Sequence, residues 1–320
     1  MTEQLKLLPL VVKYKPKTLE EVLGRDEIIH ELRAYLDQNH IPHLMFEGVQ
    51  GTGKTLIFNL LIKKYYHGVV PPNNVLKIDA STDNNVDFIR DNLIQFLDTR
   101  GLDSSVRKTA FLDEGDYLSK SAQSVLRKPI ERVAKKCNIF LACNYANKII
   151  LPIQDRFKAY HFDQLSKDAI TEGVRRVIDG EGIEIVGDEH IVYDAIYKHS
   201  RGTMRYVLNN FLEPARAIGK LTLDSIKLSF DSNTSFIKSL FKRNTSEALT
   251  MGIQNPRGCL SGSIDYITSI PDAKLPLNVK SRMLDWITDS YRDMSAGIPY
   301  AVTITDLVYK FANTLKPKSK

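Results

Sequence analysis

The chain has 320 residues, of which 43% are hydrophobic and 26% charged, with a formal net charge of +6 and a pI of about 9.0. These are the proportions of a soluble globular protein with room for two or three domains, and no window approaches the roughly 20 apolar residues of a membrane span. The three cysteines, Cys137, Cys143 and Cys259, are odd in number and form no Cys-x-x-Cys pair, which argues against a disulfide framework or zinc site and fits a reducing setting. The N-terminal residues Met1–Lys6 lack a signal-peptide apolar stretch, so the expectation is a soluble intracellular protein with no membrane partner. The basic excess permits a nucleic acid or acidic partner without requiring either.

In chain order, Asp26–Asn39 reads as a helix, with Ile28, Ile29, Leu32 and Leu36 at helical spacing. His43–Glu47 is a short apolar strand ending at a glycine. A helix over Lys54–Tyr65, a strand at Val75–Asp79 and a helix at Val86–Leu97 follow. Lys108–Leu112 is a third strand, Ser119–Ala134 a helix containing Pro129, Ile139–Cys143 a fourth strand and Tyr160–Phe162 a candidate fifth. Alternating strands and helices predict a parallel sheet covered on both faces. After Leu165 the strand signals stop: Lys167–Asp179, Asp188–His199 and Met204–Ala217 read as helices. The polar stretch Ser229–Thr234 reads as a loop. From Ser235 the chain is helical again, with breaks near Asn255–Gly258 and Pro271–Pro276 and a frayed tail at Lys316–Lys320.

Gly48-Val49-Gln50-Gly51-Thr52-Gly53-Lys54-Thr55 matches G-x-x-x-x-G-K-[ST], between an apolar strand and a helix that begins with Leu56. Its glycines let backbone N–H groups turn toward phosphate oxygens, and the helix start adds the positive end of its dipole. Lys54 is expected to reach the β- and γ-phosphates of a nucleoside triphosphate, ATP, and Thr55 to ligate Mg²⁺. About 60 residues later the strand Thr109-Ala-Phe-Leu112 ends in Asp113 and Glu114. An aspartate there holds Mg²⁺ in phosphate-loop enzymes, and the neighbouring glutamate polarises the attacking water. Cys143-Asn144-Tyr145 ends the fourth strand, placing the Asn144 amide where it could bond the γ-phosphate or the water, or simply cap a turn.

Together these stretches resemble the AAA+ sliding-clamp loader small subunits, of the replication factor C and bacteriophage type, most closely from Val12 to Leu212. Lys13-Tyr14-Lys15-Pro16 with Thr18-Leu19-Glu20-Glu21-Val22 is similar to the family's N-terminal box, which wraps the adenine and brings Val12 and Tyr14 to the nucleotide. Lys15 replaces the usual arginine and loses its planar fork. Leu112-Asp113-Glu114-Gly115-Asp116 resembles the Asp-Glu-Ala-Asp box, with Gly115 in place of alanine. Ala122-Gln123-Ser124-Val125-Leu126-Arg127-Lys128 is similar to the next helix, whose glutamine in relatives couples DNA to the ATP site. Asp155-Arg156-Phe157 stands where Ser-Arg-Cys is usual. Gly202-Thr203-Met204-Arg205 resembles the sensor-2 motif, with Thr203 in place of an acid.

The resemblance implies an α/β AAA+ phosphate-loop domain over residues 1–164, a small helical lid over 165–231 and a helical C-terminal collar over 232–320. It implies an ATPase working in a ring, homo- or hetero-oligomeric and most often pentameric, that opens a sliding clamp and grips primer–template DNA. Lys54, Thr55, Asp113, Glu114 and Asn144 act within the chain, Arg205 reaches the triphosphate from the lid, and Arg156 reaches a neighbour's γ-phosphate in trans. Lys120 and Arg127 are the candidate DNA contacts; Ser81–Asn85 offers no basic residue where relatives carry one, and Arg132, Lys135 and Lys136 read equally as a solvated face. The setting would be the cytoplasm of a prokaryote or virus-infected cell, or a eukaryotic nucleus. Two alternatives stand beside this reading. One is a helicase-type AAA+ DNA motor, against which the absence of a β-ribbon pattern in the last third weighs. The other is a structural subunit with a silent ATP site, against which the intact Lys54, Asp113 and Glu114 weigh.

Overall fold

The computed structural model describes residues 8–71, 73–82, 84–99, 107–134, 136–254, 256–271, 274–295 and 298–314. Lys135, Asp83, Asn255 and the tail after Thr314, each part of an expectation above, lie outside the described residues. The chain divides into two compact units, Met1–Glu184 with Ile196–Gly219, and Ile185–Ala195 with Lys220–Lys320.

The first unit opens with the short helix α1 (Leu10–Lys13) and the helix α2 (Asp26–Asp37). Strands β1 (Leu44–Gly48), β2 (Val75–Asp79), β3 (Lys108–Asp113), β4 (Cys137–Cys143) and β5 (Lys158–Phe162) form one sheet in the order β2-β3-β4-β1-β5. Every neighbouring pair is parallel, with Leu44 in register with Phe140 on one side and Lys158 on the other. The expected parallel sheet is therefore present, and the fifth strand is longer than the sequence suggested. Side chains of the central strands alternate between two buried layers. Phe46, Phe111 and Phe140 pack with Ile57, Phe58 and Leu61 of α3 (Lys54–Tyr65), whereas Ala110, Leu112, Ile139 and Leu141 share a layer with Ala122, Leu126 and Ile130, which belong to the helix after β3. Burial on both faces explains why these strands read as continuous apolar runs.

The expected helix at Val86–Leu97 is broken into α4 (Val86–Phe88), a π-helical segment (Ile89–Ile94) and α5 (Gln95–Asp98). Helix α6 (Lys120–Val133) starts at Ser119, whose hydroxyl accepts from Ala122 N–H at 3.1 Å, and it runs on through a buried Pro129. Helices α7 (Leu151–Gln154) and α8 (Lys167–Glu181) follow, the latter capped by Ser166 at its start and by Gly182 in the left-handed region.

Two short strands after Leu165 correct the all-helical expectation: β6 (Glu184–Val186) pairs with β7 (Lys220–Thr222). At three residues each they are too short to leave an alternating pattern. Between them lie α9 (Glu189–His199), α10 (Met204–Val207), a π-helical segment (Leu208–Leu212) and α11 (Glu213–Ile218).

The second unit contains α12 (Leu223–Phe241), α13 (Thr245–Gln254), α14 (Pro256–Ser269), α15 (Leu277–Ser295) and α16 (Tyr300–Thr314). The stretch Ser229–Thr234, expected as a loop, lies inside α12. A capping box between Thr222 and Ser225 starts this helix, and Phe236, Ile237 and Leu240 near its end are buried. That burial outweighs the weak helix propensity of the Asp-Ser-Asn stretch, where no glycine or proline intervenes. No helix among the described residues is long and apolar enough to cross a membrane.

Candidate active site

Strand β1 delivers the chain into the phosphate-loop motif at the carboxyl edge of the sheet. Gly48, Gly51 and Gly53 all have positive φ, at 152°, 90° and 104°. At Gly48 a Cβ would stand 2.3 Å from the carbonyl oxygen of Phe162, so the loop can leave β1 beside β5 only with glycine there. Gly53 is the left-handed N-cap of α3, which aims the helix start at the loop's concavity. The Lys54 ammonium is buried and donates to the carbonyls of Gly48 and Val49 (3.1 Å) and to Asn144 Oδ1 at 3.0 Å. Burial pulls the Lys54 pKa below the usual lysine range, opposed by the nearby Asp113, Asp116 and Glu114 carboxylates.

The acidic strand end faces this lysine. Thr55 donates its hydroxyl proton to Asp113 Oδ2 at 2.8 Å, joining the two groups expected to hold Mg²⁺. One hydroxyl and one carboxylate suit an ion that prefers oxygen donors and keeps waters and phosphate oxygens for its other positions. Among the described residues no group of three or more His, Cys, Asp or Glu could hold a metal ion. Glu114 follows in the left-handed region at φ 52°, its N–H donating to Asp113 Oδ1 at 3.0 Å. Burial raises the Glu114 pKa, and the negative charges of Asp79 and Asp113 raise it further, while a hydrogen bond from Ser81 opposes them. Asp116 is buried and accepts the Asn144 N–H at 3.0 Å, fixing the end of β4 against the turn after β3.

Reasoning from the sequence assigned no role to Asp79 or Ser81, and named Asp116 only as the last residue of the acidic box. The first two stand at the end of β2, where a polar pair after an apolar strand was a readable sign. Cys143 is an ordinary buried thiol, pushed up to about 12 by burial.

A cavity of about 940 Å³ joins these groups to the rest of the unit. Gln50 to Leu56, Asp113, Glu114 and Asn144 are among its lining residues. Val11 to Lys17, Gly173, Arg176 and Val177 of α8, and Met204, Arg205 and Leu208 line it as well. Of the residues expected to meet the nucleotide, Val12, Tyr14, Gln50, Gly51, Thr52, Gly53, Lys54, Thr55, Leu56 and Arg205 all line it. Gly48 and Val49 meet Lys54 through their carbonyls. Thr203, where the resemblance leads to the expectation of an acid, caps α10 by accepting the Tyr206 N–H at 3.4 Å.

Arg156 is not among the residues lining the cavity. Its guanidinium donates to the Pro152 carbonyl and pairs with Glu131 of α6, so it is held off its own chain's site. Lys120 and Arg127 are exposed on α6, while Arg132 is engaged with Asp98. Ser81 is engaged by Asp79 and also acts on Glu114, and the Asn85 side chain accepts the Phe88 N–H. Gln123 on the same helix is 2% exposed. It donates to the carbonyls of Leu118 and Lys148 and accepts from Ile150 N–H at 2.8 Å, tying the segment after β3 to the segment after β4.

The family model for AAA, the ATPase family associated with various cellular activities, matches residues 44–163. The replication factor C small subunit of Archaeoglobus fulgidus is 34% identical over 244 residues, covering 74% of this chain and 75% of that protein. That of Methanocella arvoryzae is 37% identical over 214 residues, covering 67% and 65%, and that of Methanosarcina acetivorans 32% over 237 residues, covering 72% and 69%. The chain thus spans about two thirds to three quarters of the length of these curated relatives. Among solved structures, the Thermotoga maritima RuvB Holliday junction branch migration motor superposes with a TM-score of 0.53 at 18% identity, over 68% of this chain and 72% of that one. This is a likeness of fold alone. With the phosphate loop, the acidic strand end and Asn144 assembled on an AAA sheet, and with relatives 32–37% identical over two thirds or more of this chain, the chain belongs to the replication factor C small subunit family.

Proposed function

We propose that the chain is an ATPase subunit of a DNA sliding-clamp loader, with a site completed by a neighbouring subunit. The observation that carries this reading is the split between Lys54, Thr55, Asp113, Glu114 and Asn144, gathered at one cavity, and Arg156, tied to Glu131 outside it. In this reading Lys54 and the loop N–H groups bind the triphosphate. Thr55 and Asp113 hold Mg²⁺, which when bound neutralises charge on the β- and γ-phosphates. Glu114 accepts a proton from the attacking water, Asn144 orients that water or the γ-phosphate, and Arg205 brings the lid's charge to the phosphates. Arg156 leaves Glu131 to stabilise the transition state on the adjoining subunit, so turnover is slow until the ring assembles.

The same proposal divides the chain into the nucleotide domain 1–164, the lid 165–231 and the collar 232–320. ATP binding closes the ring on clamp and primer–template DNA, with Lys120 and Arg127 meeting phosphates, and hydrolysis releases the clamp. The helices over the described residues from Leu223 to Thr314, with no strand among them, support a collar over a helicase-type winged domain. The test is ATPase of the reconstituted assembly with and without primed DNA and clamp. Arg156→Ala should keep ATP binding and lose DNA-stimulated hydrolysis by about 10³-fold, while Lys54→Ala should lose binding and hydrolysis together. Unchanged turnover in Arg156→Ala refutes the finger in trans. Full activity in Lys54→Ala favours a structural subunit, and processive strand separation independent of a clamp favours the helicase-type motor.

A further inference from the structure

The N-terminal strap from Leu8 to Lys17 walls part of the cavity, yet its long-range polar attachments run to the helices that follow β5 rather than to the sheet. Lys13 Nζ pairs with Glu181 Oε1 at 2.5 Å, and the Tyr14 hydroxyl donates to the same oxygen at 2.7 Å. The pair is well shielded, with Lys13 and Glu181 side chains 10% and 8% exposed. Leu10 N–H donates to Glu213 at 2.8 Å, and Arg216, itself paired with Glu213, donates to the Leu8 carbonyl at 2.8 Å. The Tyr14 ring sits where Gly180 leaves room: a Cβ at Gly180 would stand 2.2 Å from the Tyr14 hydroxyl oxygen.

Glu181 lies at the end of α8. Gly173 and Val177, two and one helical turns before it, line the cavity from the same face of that helix. With the phosphates on the loop at Gly48–Thr55, the base of a bound nucleotide must lie in the cavity away from the loop. Val11 and Val12 of the strap and Gly173 and Val177 of α8 are apolar lining residues available to it. The ion pair therefore ties together the two segments that carry these lining residues.

We infer that Glu181 is a positioning residue for base selection: by fastening Lys13 and Tyr14 to α8 it fixes the width of the slot that admits adenine over guanine. This rests on the nucleotide-binding reading above. The strap then travels with α8 and α11 when those helices move, so base recognition and lid position are set together. A slot held open at fixed width binds its base without first ordering the strap, and loosening it costs affinity only for ligands that carry a base.

The experiment is calorimetric binding of ATP, GTP and inorganic tripolyphosphate to the full chain and to Glu181→Gln, Tyr14→Phe and the swapped pair Lys13→Glu with Glu181→Lys. Glu181→Gln should weaken ATP about tenfold and narrow the ATP-to-GTP ratio by a similar factor, while tripolyphosphate changes less than about twofold. Tyr14→Phe, which removes one of the two attachments, should move both in the same direction by less. The swapped pair should recover part of the ratio, which also separates a lost contact from a lost fold. An unchanged ATP-to-GTP ratio in Glu181→Gln, or an equal loss for ATP and tripolyphosphate, overturns the inference while leaving nucleotide binding intact. A wild-type chain that binds neither ATP nor tripolyphosphate overturns the nucleotide reading and this inference with it.

Discussion

Replacing Gly115 with alanine would complete the resemblance to the Asp-Glu-Ala-Asp box, and the packing around it makes this change harmful here. Gly115 is buried at the start of the turn Gly115–Tyr117, just after Glu114, and its φ is not in the left-handed region. The backbone would therefore accept alanine, and the cost lies in packing. The new Cβ would stand 2.3 Å from Leu141 Cδ1, 3.2 Å from its Cγ and 3.4 Å from the Ala142 carbonyl oxygen. Leu141 is 2% exposed on β4, in the middle of the sheet, with little room to turn away. An extra methyl in a filled core costs about 1–3 kcal/mol. Restricting the unfolded chain by removing a glycine returns about 0.4–1 kcal/mol. The net expectation is roughly 0.5–2 kcal/mol of destabilisation.

Leu141→Ala alone should cost about 2–5 kcal/mol through the cavity it leaves. The double variant should cost less than the sum by about 1 kcal/mol or more, since the methyl added by Gly115→Ala enters the vacated space. Urea unfolding followed by circular dichroism gives the three values. Fluorescence of Trp286, the sole tryptophan and a residue of α15 in the second unit, supplies an internal control that should not move. A neutral Gly115→Ala, or strictly additive costs, would refute the idea that Leu141 occupies the space of the missing methyl.

Three further outcomes follow from the same geometry. Glu114→Gln should stabilise the fold near neutral pH. The folded-state pKa of Glu114 is raised, so its contribution is complete below the unfolded value of about 4.3 and is lost as pH rises through the folded value. The advantage of glutamine should therefore vanish in acid, and a stability gap that widens as pH falls would contradict the burial of Glu114 beside Asp79 and Asp113. In wild type, single-turnover hydrolysis in the assembly should fall as pH drops through that raised pKa. Phe58→Ala should cost about 3–5 kcal/mol in urea unfolding, because it removes a fully buried ring. That ring is stacked on Phe111 at 3.9 Å and edge-on to Phe140 at 5.0 Å; a loss below about 1 kcal/mol would show that α3 is not anchored there.

Much of the site was legible because its signals are local. The loop Gly48–Thr55 needs glycine for its positive φ values, and β3 must be apolar to be buried on both faces, so the motif and the strand leading to Asp113 and Glu114 leave marks in consecutive residues. The sheet was readable for the same reason, as was the switch to helices after Leu165. Short strands at Glu184–Val186 and Lys220–Thr222 were not, because so few residues cannot show a period. The helix through Ser229–Thr234 was not, because its stability comes from Phe236, Ile237 and Leu240 burying in a distant core.

What the sequence alone determined is therefore the phosphate loop, the acidic strand end and the parallel α/β plan around them. Tertiary structure decided the partnerships: Asn144 on Lys54, Asp116 on Asn144, Glu131 on Arg156, and Glu181 on Lys13 and Tyr14. Members of these pairs lie from 25 to 168 positions apart. Side-chain charge and hydrogen-bonding capacity are written in the sequence, but which groups meet depends on how the sheet and helices pack, and only that packing brings them within about 3 Å.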